Sequence, residues 1–195
     1  MKKLIAVAVV AMMMLGTSVS ANEWNKIRIG VEGAYPPFSK VEKDGTLVGF
    51  DIDIAMALCE EIGAECVLVP QDWDGIIPAL LARKYDAIIA SMSITEERKK
   101  KVAFSEKYYN PPAKFARKKG SGISISKAGL KGKTVGVQRA TTHDNFITGE
   151  FGDSVEIKRY GTQDEAYLDA ISGRVDLLLA AVSYTHLTLP TILLV

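Results

Sequence analysis

Histidine and cysteine are nearly missing from this chain, with two of each among 195 residues. His143 and His186 stand far apart, and neither joins a serine or cysteine nucleophile in a familiar catalytic motif. No glycine pattern suits a phosphate loop, and no Cys/His/Asp/Glu cluster has metal-ligand spacing. The chain is therefore expected to be no enzyme and to need neither cofactor nor metal. Charge of one sign is missing too: 24 Lys+Arg against 23 Asp+Glu leave a formal net charge of +1. A nucleic-acid partner would want a basic excess, so none is expected. Nor does any run reach the length of about 20 apolar residues that a permanent membrane span needs.

What apolar run there is, Leu4 to Gly16, follows Lys2-Lys3 and precedes Ser18-Val19-Ser20-Ala21. That is the three-part layout of a secretory signal. Residues 1–21 are read as a signal peptide cleaved after Ala21, and with no cysteine beside that site a lipid anchor is not expected. The mature protein is then exported, to the periplasm of a bacterial envelope.

Export puts Cys59 and Cys66 in an oxidising compartment. On one continuous helix they would stand roughly 10 Å apart by rise alone, beyond the about 4.4–6.8 Å between Cα atoms that a disulfide tolerates. Gly63 can end the helix in a left-handed cap and bring Cys66 back alongside. A structural disulfide is the expectation, with two buried thiols as the alternative.

The stretch Tyr85 to Arg98 organises the rest. Asp86 to Ala90 reads as a short buried strand. Ser91, Ser93 and Thr95 follow, and Glu96-Glu97 open a helical run. Hydroxyls and acids suit a helix start, where backbone N–H groups lack partners. A strand running into such a start makes an anion pocket, and the planar fork of Arg98 can grip a carboxylate. A capped surface helix with a solvated arginine is the plainer alternative.

Ahead of it, Ile27 to Val31 reads as a strand that ends in the irregular loop Glu32-Gly33-Ala34-Tyr35-Pro36-Pro37-Phe38. Asp44-Gly45 marks a turn. From Gly49 an amphipathic helix follows, with Ile54, Leu58 and Ile62 expected on its buried face. Ala64 to Val69 is a strand and Ile76 to Arg83 a helix, with Pro78 tolerable in the first turn. This is the rhythm of an α/β sheet. Val102 to Lys118 is expected to be extended, broken at Asn110-Pro111-Pro112. The rhythm then restarts: strands at Lys133–Val137, Val155–Tyr160 and Val175–Ala180, helices at His143–Glu150 and Gln163–Ser172. Lys84-Tyr85-Asp86-Ala87-Ile88-Ile89-Ala90 is echoed by Arg174-Val175-Asp176-Leu177-Leu178-Leu179-Ala180, which favours two similar lobes.

Several of these motifs, in this order and spacing, resemble the exported solute-binding proteins of polar amino-acid import systems. They are Tyr35-Pro36-Pro37-Phe38, Gly49-Phe50-Asp51-Ile52-Asp53-Ile54, Ala90-Ser91-Met92-Ser93-Ile94-Thr95 with Arg98, and Val135-Gly136-Val137-Gln138. The likeness runs from about Ile27 to Ala180 and leans toward the lysine/arginine/ornithine- and histidine-binding branch, which carries a cysteine pair at the same spacing. It implies an α/β, two-lobed type II periplasmic-binding-protein fold joined by a hinge. Residues 22–111 would form the first lobe and 112–181 the second, left incomplete together with the return to the first.

The resemblance also assigns roles. Arg98 and the backbone N–H groups of Ser93 and Thr142 would hold the α-carboxylate of a free L-amino acid. Ser91 and Ser93 would serve its ammonium. Tyr35 and Trp73 would stack on the side chain, where aromatic faces suit an alkyl stem or a cation. Glu32 would meet its far end, which points to arginine, lysine or ornithine. His143 stands where relatives carry an amide; it or Arg139, if turned inward, would repel a cation. A monomer delivering the ligand to the permease of an ABC importer is implied. An exported dehydratase-like enzyme of the same fold, with Glu32 in proton chemistry, and a receptor's sensing domain are the alternatives. The family's acid for the ammonium would fall at about position 181, where this chain has Ala181. Residues 182–195 carry no Lys, Arg, Asp or Glu and read as an adapter-derived, non-native tail.

Overall fold

The computed structural model describes residues 24–110 and 112–181, with the backbone of 192–194. The expected signal peptide and most of the expected tail lie outside the described residues. The first lobe is built on a parallel sheet with β1 (Lys26–Val31) in the middle, β5 (Glu65–Pro70) on one side and β6 (Ala87–Ile88) on the other. β1 and β5 run in register from Lys26↔Glu65 to Val31↔Pro70. Between β1 and β5 a small antiparallel sheet is inserted: β2 (Ala34–Tyr35), β3 (Ser39–Val41) and β4 (Leu47–Val48). The Pro36-Pro37 bond within it is cis.

The helix α1 (Phe50–Ile62) crosses back over this sheet. Its buried stripe is Ile52, Ala55 and Cys59, packed with Ile29 and Val31. The expected face was Ile54, Leu58 and Ile62, but Leu58 is 48% exposed and Ile62 59%. The disulfide decides which face turns inward. Cys59 bonds Cys66 on β5, with Cα atoms 6.1 Å apart, and a helix held to the sheet through residue 59 turns residue 58 about 100° away. Gly63 caps the helix at φ 72°, as the turn back to Cys66 requires.

On the sheet's other face lies α2 (Ile76–Leu81), preceded by a short turn of tight helix at Trp73–Gly75. Ile76, Ala79 and Tyr85 are buried there, and the Tyr85 hydroxyl donates to the Ile76 carbonyl. A Cβ at Gly30 would collide with the Tyr85 ring, so this strand position has to be glycine.

β6 is shorter than the expected strand because its neighbours are otherwise engaged. The Asp86 carboxylate accepts from the Arg28 backbone N–H at 2.9 Å and from its guanidinium at 3.1 and 2.8 Å. At the other end Ser91 turns at φ 51°. The helix α3 (Glu96–Lys99) is capped by Thr95, whose hydroxyl accepts from the Arg98 N–H. Residues 102–110 have no regular ladder partner.

β7 (Ala113–Lys118) enters the second lobe antiparallel to β10 (Leu177–Ala181). That sheet continues through β8 (Thr134–Gln138) and β9 (Glu156–Tyr160), both parallel neighbours. The backbone of Ile192–Leu194 forms β11 along the outer side of β7. α4 (Thr142–Phe151) and α5 (Gln163–Ile171) cover the sheet. Leu130, Val135, Val137, Ile147, Leu177 and Leu179 fill one core. Ala166, Tyr167, Val175 and Leu178 fill another, against which Tyr35 of the first lobe packs.

The sequence echo has a physical counterpart. Asp86 accepts from the N–H of Arg28 and returns its own N–H to the Arg28 carbonyl at 2.8 Å. Asp176 does the same with Thr134, at 2.9 Å both ways. In each lobe one aspartate ties the start of a strand to its parallel neighbour.

Candidate functional site

Each lobe aims the end of a strand and a helix start at the space between them. The cavity there has a volume of about 110 Å³, and its wall includes Glu32, Tyr35, Trp73, Ser91, Ser93, Arg98, Thr142 and His143. The structure thus brings every expected ligand-binding residue together. Ala90, Tyr109, Ala113, Gln138, Thr141 and Ala181 complete the wall.

One end is basic. Arg98 Nη1 donates to the Ser93 carbonyl at 2.9 Å, and Nη2 reaches the Ala140 carbonyl of the second lobe at 3.4 Å. Its guanidinium lies 5.3 Å from the centroid of the Trp73 ring, so one indole face is already taken by a cation. The Trp73 N–H also donates to the Ala140 carbonyl, at 3.1 Å. Burial lowers the Arg98 pKa from its ordinary value, but a guanidinium stays charged at neutral pH. Opposite it, Thr141 caps α4: its hydroxyl accepts from the Asp144 N–H at 3.1 Å and donates to the Gln138 carbonyl at 2.8 Å. The first-turn N–H groups of α4, Thr142 among them, add the positive end of a helix dipole.

The other end is acidic. Glu32 is 8% exposed at the end of β1, and burial pushes its carboxyl up to about 7. Gln138 Nε2 donates to it across the lobes and partly offsets that rise. The charges that act on it, Asp51, Asp164 and Asp72, are all acids and push the same way. Among the described residues Glu32 makes no ion pair.

Asp51, in the first turn of α1, is the second buried acid, its pKa also raised by burial. The Ser91 hydroxyl donates to it at 2.7 Å, and the Tyr108 hydroxyl at 2.8 Å. Ser91 was expected to serve an ammonium, and its proton is committed to Asp51. What its hydroxyl still offers the cavity is lone pairs, the chemistry an ammonium needs.

The two residues able to repel a cation do not. Arg139 turns out of the cavity, its Nε 2.6 Å from Asp74 Oδ2 of the first lobe. His143 faces the cavity, but burial, reinforced by the Arg98 charge, brings its pKa down to about 4. It is therefore neutral at pH 7. Tyr35 packs 6.0 Å from the Phe38 ring and takes a backbone hydrogen bond from Ala181 of the second lobe. Burial raises its hydroxyl pKa strongly. Tyr109, where the chain passes between lobes, stacks on Phe38 at 5.1 Å.

The strand expected to end at Val137 runs one residue further, to Gln138, which is only 2% exposed. The available signal was an amide closing the apolar run Val135-Gly136-Val137. Thr141 was legible as a hydroxyl one place before a helix, and Tyr109 as an aromatic before Asn110-Pro111-Pro112.

One end of the cavity is basic, and at the other an acid makes no ion pair among the described residues. Residues 27–171 match the model of the bacterial extracellular solute-binding proteins, family 3. The chain is 48% identical over 181 residues to an L-arginine-binding protein of Pseudomonas aeruginosa, covering 92% of this chain and 70% of that one. Among solved structures it resembles an ancestral arginine-binding protein bound to arginine, with a TM-score of 0.84 and 37% identity, covering 89% of this chain and 80% of that one. An ancestral arginine-binding protein bound to glutamine also matches, with a TM-score of 0.80 and 38% identity over 88% and 78% of the two chains.

Proposed function

Because the chain belongs to the bacterial extracellular solute-binding proteins of family 3, we propose that it takes a free cationic L-amino acid, arginine first, between its two lobes. The observation that carries this is Glu32. A buried acid on which only other acids act as charges is costly to keep ionised until a cation arrives, and the cavity is the side from which one can come. Arg98 and the N-terminus of α4 hold the α-carboxylate, and Ser91 faces the ammonium. Tyr35 and the free face of Trp73 line the alkyl stem. With Arg139 turned away and His143 neutral, the cation that the described wall does carry, Arg98, stands at the carboxylate's end, away from a positive side chain.

The protein works as a monomer in the periplasm and hands its ligand to the membrane permease of an ABC importer. It performs no chemistry on that ligand. Calorimetric titration of the full-length protein tests the reading: arginine, lysine or ornithine should bind, and glutamate should not. A second reading has one observation behind it, since an acid titrating near 7 in a cleft also suits proton transfer. Turnover of a prephenate-type substrate, absent under the first reading, separates the two.

A further inference from the structure

Gln138 sets an uncharged amide directly against Glu32. Val135 and Val137, on the same strand, are fully buried apolar residues. An amide closing such a strand at 2% exposure has to satisfy its hydrogen bonds inside the protein. Its Nε2 does so twice, donating to Glu32 Oε1 and, at 3.2 Å, to the Gly161 carbonyl. The Gly161 carbonyl only accepts, and so does Glu32 in the ionised form that binds a cation. Reversing the amide would set its own oxygen against a carboxylate and a carbonyl, so the orientation is fixed by chemistry. With both N–H groups spent, the amide has only its acceptor Oε1 left to offer, beside the Glu32 carboxylate.

Two acceptors side by side, one charged and one neutral, are not an even match for the basic side chains. An ammonium is a compact donor that one carboxylate satisfies. A guanidinium is planar, with five N–H donors in a fixed fork, and leaves N–H groups over after one carboxylate is served. We propose that Gln138 is a specificity-determining residue, its locked amide oxygen accepting from a ligand guanidinium that Glu32 binds, so that the site favours a guanidinium over an ammonium side chain. The preference is one of hydrogen-bond count. A buried acceptor left unmade disfavours the poorer donor, as sites built around a polar group generally do.

This inference rests on the reading of the cavity as a cationic amino-acid site, and the test separates them. L-arginine and L-lysine are titrated calorimetrically into the full-length protein, Gln138→Leu and the near-isosteric Gln138→Met. The unaltered protein should favour arginine at least about tenfold. In the variants that ratio should fall to about threefold or less, because arginine binding weakens more than lysine binding, the loss of the bond to Glu32 being common to both. Retained lysine binding shows that a variant is folded. An unchanged ratio in both variants, or equal weakening of both ligands, overturns the inference and leaves Gln138 a packing residue. Lysine binding without a preference for arginine in the unaltered protein overturns it too while sparing the cationic-site reading, and binding of neither ligand ends both.

Discussion

Arg139 Nε lies 2.6 Å from Asp74 Oδ2, a bond between lobes at the exposed edge of the cleft. Trp73, next to Asp74, donates to the carbonyl of Ala140, next to Arg139. The two contacts close one corner of the cavity. Both contacts join the lobes, so a ligand bound by both lobes should be favoured by them.

The ion pair is 49% and 39% exposed on its two sides, so its contribution should be small, about 0–1 kcal/mol. Arg139→Ala and Asp74→Ala should each weaken arginine binding about fivefold at most, and the double variant no further than either one. Titration at low and high salt checks this, since the deficit should shrink as screening rises.

Arg98 should matter far more. Its guanidinium is held by Ser93 and Ala140 and stacked on Trp73, so the protein itself positions it. Arg98→Ala should cost about 2–5 kcal/mol of binding, one to several decades at about 1.4 kcal/mol each. Arg98→Lys should recover only part, because an ammonium lacks the fork. Unchanged affinity in Arg98→Ala would return the residue to a structural role.

Affinity for a cationic ligand should depend on pH through Glu32. Its carboxyl sits up at about 7, and a bound cation must pull it down. Below 7 the ligand has to displace a proton, so affinity rises with pH and levels off above about 8. His143, already neutral above about 4, adds nothing in that range. Stability of the unliganded protein runs the other way. The folded pKa of Glu32 is raised, so its contribution is fully present below 4.5 and lost as pH rises through 7. Titrations from pH 5.5 to 8.5, with thermal unfolding alongside, should show the two opposite slopes.

Reduction should loosen the first lobe. The Cys59–Cys66 bridge closes a loop at a separation of seven residues, for which chain entropy gives about 2–3 kcal/mol. Replacing both cysteines by serine should lower the denaturation midpoint accordingly while leaving the cavity's residues in place. A midpoint that does not move would show that the helix end is held by packing alone.

The architecture was legible where local chemistry and periodicity agreed. The echo at Asp86 and Asp176 marked two lobes because the same carboxylate-to-backbone tie had to be repeated in each. Gly63 revealed the turn that brings Cys66 home. The buried face of α1 was misread because Leu58 and Ile62 are stronger apolar signals than Ala55 and Cys59, and only the disulfide ranks them. The stretch 102–110, read as extended, forms no strand ladder, whereas 113–118 does. In the site, motifs gave the residues at strand and helix ends. Contacts between lobes left no local trace. Nothing beside Arg139 shows that it turns to Asp74, and nothing beside Gln138 shows that it meets Glu32.

The central claim is that the acid at the end of this cavity awaits a cation. Isothermal titration of the full-length protein at pH 8 with arginine, lysine, ornithine, glutamine and glutamate tests it most directly. The account predicts binding of the cationic amino acids, arginine foremost, with a proton released from Glu32 as pH is lowered toward 7, and a loss of at least tenfold in Glu32→Gln. Tight binding of glutamine or glutamate with no heat from arginine or lysine would contradict it.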